Sequence, residues 1–246
     1  MTAMRKHLGG FLLAGLLASM APAALAAQGP AGAKPDISGY WYLKVDSRKI
    51  PRAQLRPAVT AAVAAQHAKD DAHAIRWCNL LGMPFLMDSG RPLNIRQGTR
   101  EIFIEAQAPV ALRHIYLERR SHINTDIFDP ATNGDSYAYW DGDTLIVDTN
   151  GFSGTRGMTS IPGGGFRTEQ SHLVERFRLL DGGSVLSVVS TWSDPAVFKV
   201  PHSYEYRYSR LPDTFEPPAK PTCNPYDEER AKFLESSTIA TGGAAK

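Results

Sequence analysis

From Arg100 onward the chain is a string of short alternating runs joined by turn residues, and this pattern limits the possible folds more than any other feature. Ser136–Trp140 and Thr144–Thr149 flank Asp141-Gly142, while Ser171–Leu179 and Ser184–Trp192 flank Asp181-Gly182-Gly183. Glycine after aspartate supplies the positive φ of a tight hairpin turn, so each set predicts two antiparallel strands. Arg100–Gln107 and Val110–Glu118 predict another hairpin around Ala108-Pro109, and Ser203–Leu211 a last strand ended by Pro212. Asp36 opens a first strand that runs to Val45. Consecutive hairpins make an antiparallel meander, whose edges must be closed or covered to avoid pairing with other molecules. The expectation is one mainly β domain over residues 36–235, a meander closing into a barrel or strongly curled sheet, with a β-sandwich as runner-up. One N-terminal helix, Pro57–Ala74, is expected to pack against it and plug one end; it is Ala-rich and has proline at a first helical position.

The first residues predict export. Arg5, Lys6 and His7 precede an apolar run from Leu8 to Met20, then Pro22 and the small-x-small site Ala24-Leu25-Ala26. That order predicts a signal peptide over residues 1–26, and the run is shorter than the roughly 20 residues of a membrane anchor. No twin-Arg pair precedes it, which favours the general secretory route. Residues 27–35 read as a flexible leader and 236–246 as a disordered tail. The expected location is the periplasm or the exterior.

A hydrophobic content of 43% is enough for a buried core and excludes global disorder. The net charge of +2, without a Lys/Arg block, argues against nucleic acid as a partner. After signal cleavage no apolar run is long enough to cross a membrane. Only two cysteines occur, Cys78 and Cys223. In an oxidising compartment an even count predicts one disulfide, worth up to roughly 4 kcal/mol by loop entropy; two buried thiols are the alternative.

Strand alternation selects the residues that could carry chemistry. In Ser171–Leu179 the face of Leu173, Phe177 and Leu179 also carries Glu175. A carboxylate on a dry face needs an arginine or hydroxyl partner, so Glu175 is either a structural ion pair or a functional acid or base. Asp148 ends an apolar strand, either at a barrel mouth or as a cap for the turn at Asn150-Gly151. His122 precedes Asn124, Thr125 and Asp126 in a polar loop, and His172 opens the strand of Glu175. Either histidine could move protons near neutral pH. His114 and Tyr116 share a face that could line a cavity, and Tyr204, Tyr206 and Tyr208 form an aromatic stripe that is either core or ligand wall. No close ligand spacing supports a metal site built from His114, His122, His172 and a carboxylate, and no cofactor is expected. Gly163-Gly164-Gly165 lacks the strand and helix context of a phosphate loop, and no serine-hydrolase, zinc-protease or dinucleotide motif is present.

Several segments follow one another in order: Gly39-x-Trp41, Cys78 with Gly82-Met83-Pro84, and Arg113-x-Ile115-Tyr116 leading to His122. Gly142-Asp143-Thr144-Leu145-Ile146-Val147-Asp148-Thr149 with Gly151-Phe152, then His172, Val174-Glu175-Arg176-Phe177 and Asp194-Pro195, complete the series. In this the chain resembles a widespread, uncharacterised family of exported bacterial proteins over nearly all of its mature length. The family usually has Arg-Arg-Ile-Tyr where this chain has Arg113-His114-Ile115-Tyr116, so the resemblance gives His114 no role. Gly39-x-Trp41 is also similar to the opening of the lipocalins, which are ligand-binding barrels. The functional expectation is an exported, cofactor-independent lyase, isomerase or hydrolase acting on a small organic molecule through His122, His172, Glu175 and Asp148. The alternative is a non-catalytic small-molecule-binding barrel of the cell envelope.

Overall fold

A computed structural model describes residues 34–76, 81–106, 112–124, 127, 129–154 and 157–217. The expected signal peptide, the tail from residue 218 and both cysteines of the expected disulfide lie outside the described residues.

The described strands are β1 (Gly39–Leu43), β2 (Leu93–Gln97), β3 (Glu101–Ala106), β4 (Arg113–Tyr116), β5 (Asp135–Asp141), β6 (Thr144–Asn150), β7 (His172–Leu180), β8 (Val185–Ser193) and β9 (His202–Arg210). They form a closed barrel in sequence order, with β9 pairing back onto β1. The predicted hairpins are present: β5 and β6 turn at Gly142, with φ +61°, and β7 and β8 at Asp181–Gly183. The meander differs from its expectation at one seam. β4 and β5 pair in parallel through Ile115–Ser136 and Tyr116–Tyr137, because the 117–134 connection returns the chain to the same end of the barrel.

The interior is a packed core. Trp41, Leu145, Phe177, Trp192, Tyr206 and Tyr208 are all buried and belong to one hydrophobic cluster. Gly39-x-Trp41 has a local reason. The Arg210 guanidinium lies 4.2 Å over the Trp41 ring, and its Nη1 donates to Ser38 O at 2.6 Å. A Cβ on Gly39 would stand 2.7 Å from that Nη1, at a φ of +134°.

The helix α1 spans Ala61–Arg76, later than expected. Thr60 Oγ1 accepts from Val63 N at 3.3 Å, a capping bond that Pro57 could not supply, and residues 57–58 form a turn. This helix docks through Asp71, whose carboxylate accepts from Thr159 N at 2.6 Å and Ser160 N at 3.0 Å, and through His67, which stacks on Phe166. The plugging expected of it falls to the short helix α2 (Phe85–Asp88): Leu86 and Met87 are buried, and Tyr208 in the interior donates to Met87 O at 2.7 Å.

Gly82 brings this plug against the 131–134 turn. A Cβ there would lie 2.1 Å from Thr132 O, and neighbouring Met83 N donates to the same oxygen at 3.0 Å. G82A should therefore destabilise the domain by about 1–3 kcal/mol through overpacking against backbone. Thermal denaturation reads this directly; an unchanged midpoint would show that the plug does not sit so close.

Candidate active site on the outer barrel wall

The sequence-derived residues separate onto two sides of the barrel wall. Glu175 faces inward, as alternation predicted, and its charge is met. Arg113 Nη2 lies 2.5 Å from Glu175 Oε2, and both side chains are 0% exposed. The same nitrogen donates to Thr149 Oγ1 at 3.0 Å. Tyr204, Tyr206 and Tyr208 also face inward. Tyr204 OH accepts from Trp192 Nε1 at 3.1 Å, and burial pushes all three phenols well above their ordinary range. They are core residues, with no protons to exchange near neutral pH.

His114 and Tyr116 point outward instead of lining a cavity. His114 stacks on Phe103 at 4.5 Å and meets Tyr116 at a tilt at 3.9 Å, and its Nε2 lies 2.6 Å from Glu101 Oε2. Arg113, beside it in sequence, occupies the interior with Glu175, so the Glu175 carboxylate is not grouped with His122, His172 and Asp148 as the expected catalytic set had it.

Asp148, His172 and His122 converge on the outer face. Asp148 pairs with Tyr137 on one side and Val174 on the other, which puts His172 diagonally across from it. After β4 the chain folds over β5: Ile123 N donates to Asp135 Oδ2 at 3.1 Å, and Arg119 Nη2 to Asp135 Oδ1 at 2.5 Å. This hands the His122 ring to two carboxylates. Its Nδ1 lies 3.2 Å from Asp135 Oδ2 and its Nε2 2.9 Å from Asp148 Oδ1. His172 Nε2 reaches the same Asp148 Oδ1 at 2.6 Å.

Both ring nitrogens of His122 can donate to carboxylates only in the imidazolium form. Burial pulls its pKa down, but the bonds to Asp135 and Asp148 outweigh burial and leave it raised. Asp135 shows the converse: burial pushes it up, while His122, Arg119 and the Ile123 amide hold it below its usual value. Tyr137, whose ring centroid lies 4.8 Å from that of His122, is raised by burial and then by the Asp148 charge.

His172 is the most open member, with 44% of its side chain exposed. It lines an open cleft of about 590 Å³ together with Asn150, Gly151, Glu169 and Gln170. Asp194 fixes this rim. Its Oδ2 accepts from Thr168 Oγ1 at 2.7 Å and Ser171 Oγ at 2.6 Å, and its Oδ1 from Ala196 N at 2.9 Å. Removing the carboxylate in D194A should cost about 1–3 kcal/mol, because the buried Ser171 hydroxyl and two partly buried donors lose their acceptor. Chemical denaturation checks it; a loss below about 0.5 kcal/mol would show that these donors find other partners.

Asp135, Arg119 and Tyr137 belong to this site and were not singled out from sequence. The only available signal was their position on outward-facing or polar-loop residues near His122. No protein-family model matches the chain, and no curated protein matches it.

Proposed function

We propose that the chain is an exported, non-redox enzyme, a lyase, isomerase or hydrolase, that acts on a small organic molecule at His122, Asp148 and His172. The observation that carries this reading is the meeting of two imidazole nitrogens on one carboxylate oxygen, Asp148 Oδ1, beside an open cleft. Stability does not account for such an arrangement, since partly exposed ion pairs contribute only about 0–1 kcal/mol. Catalysis does: groups that pass a proton to or from a bound molecule must be close, oriented and reachable. His172 touches the substrate in the cleft. Asp148 orients the His172 ring and offsets the positive charge that develops on it as the proton moves. His122, braced by Asp135, fixes Asp148. The alternative of a ligand held inside the barrel has less support, because the described interior side chains pack on one another.

Export rests on the arrangement of the first 26 residues, and the likeness to an exported bacterial family agrees with it. No described helix is long and apolar enough to cross a membrane.

The test is untargeted turnover. Purified mature protein is incubated with a metabolite extract, and products are read by mass spectrometry beside H172Q. Substrate loss and product gain in the wild type, absent in H172Q, is the expected result. Turnover of equal extent in both would remove the site from the reaction.

A further inference from the structure

The same side chains also make a ligand set. We propose that His122, Asp148 and His172 bind one first-row divalent metal ion, zinc or a close neighbour, as a two-histidine, one-carboxylate site. One donor atom from each residue lies within 4.8 Å of the others. The two Nε2 atoms face a single oxygen, Asp148 Oδ1, at 2.9 and 2.6 Å. Ligands held about 2.0–2.1 Å from a tetrahedral ion stand roughly 3.3 Å apart, so each nitrogen and that oxygen need to separate by only about half an ångström. Protons on the two Nε2 atoms and a metal ion compete for the same space.

The surroundings are those of a ligand site. A carboxylate behind a histidine ligand fixes its tautomer and raises its basicity. Asp135 holds that position, 3.2 Å from His122 Nδ1, and is itself held by Arg119 and the Ile123 amide. Arg119 pairs with Asp135, while the two imidazoles are the ion-pair partners of Asp148. Imidazole nitrogens favour zinc and its transition-metal neighbours over magnesium or calcium. Three protein ligands leave a fourth position for water, as catalytic sites do and closed structural sites do not. His172, on the cleft side, leaves that position accessible. Sequence spacing gave no sign of the site because sheet pairing brings Asp148 and His172 together and the loop after β4 brings His122 to them.

Binding of the ion stands on geometry alone; only its part in the reaction rests on the proposed function, where, with the ion bound, His172 and Asp148 would hold it and a water on it would take over the proton transfer otherwise given to His172. The full mature chain, stripped with a chelator, is titrated with Zn2+ by calorimetry and with Co2+ by visible absorption. One ion per chain and the d–d bands of a low-symmetry cobalt site are expected. D148N and H172Q should each weaken binding at least about 100-fold and D135N by about 10–100-fold, while H114Q binds as the wild type does. If D148N does not fold, H172Q, at the most exposed ligand, carries the comparison. Absent saturable binding, or equal binding by wild type and H172Q, overturns the site. Full turnover by chelated protein overturns the ion's part in the reaction and leaves the reacting centre standing.

Discussion

Replacing Arg113 with methionine should destabilise the barrel by about 3–5 kcal/mol, because it strands the Glu175 carboxylate in the interior. Both side chains are fully buried, and Arg113 Nη2 reaches Glu175, Thr149 and Ser136. The size of the loss reflects the abandoned charge more than the value of the pair. Replacing both partners by apolar residues, as in R113M/E175L, should therefore recover most of it. Urea denaturation of the two single variants and the double variant gives the cycle. A single variant within about 1 kcal/mol of wild type would mean that water reaches the pair and screens it. E175Q should lower the melting temperature yet keep turnover per folded molecule, since Glu175 lies on the other side of the wall from the histidines.

The second large effect falls on activity and leaves stability nearly alone. D148N should lower kcat/KM for the substrate by about 10²–10⁴-fold, the range lost with a positioned acid or base. H172Q should fall in the same range. The double variant should be little worse than either alone, because the two groups act as one unit. Their melting temperatures should stay close to wild type, since the Asp148 and His172 side chains are 22% and 44% exposed. Steady-state kinetics on the substrate found by mass spectrometry measures this. Additive losses would show that the two residues work independently.

Much of the fold was legible because two of the hairpin turns carry an Asp-Gly signal. Asp141-Gly142 and Asp181-Gly182-Gly183 set the β5–β6 and β7–β8 pairs with nearly the observed bounds. β2 was missed: Leu93-Asn94-Ile95-Arg96-Gln97 is short, follows Pro92 and has no Asp-Gly turn to mark it. The parallel seam between β4 and β5 was hidden because the connection before Asp135 carries no signal for a crossover. Period-two alternation placed Glu175 inside, and the cost of burying charge required a partner. That the partner is Arg113 could not be read, since β4 and β7 are not neighbours in the sheet.

The site was legible as a set of residues and not as an arrangement. His122, Asp148 and His172 were each singled out, but Asp148 and His172 stand on strands joined by the long 151–171 connection. No short turn fixes the register there, and the register decides that they are diagonal neighbours. His122 reaches them only because Asp135 binds the Arg119 and Ile123 segment to the outer face of β5. Such a contact depends on tertiary structure that no local pattern encodes.

If the proposed function holds, reacting molecules meet the outer wall and not the interior. Side-chain NMR of protein labelled at histidine and tyrosine, titrated with the substrate or its product, tests it most directly. The His122 and His172 ring resonances should shift on binding while those of Tyr204, Tyr206 and Tyr208 stay in place. Movement of the three tyrosines with both histidines unchanged would contradict it and put the ligand inside the barrel.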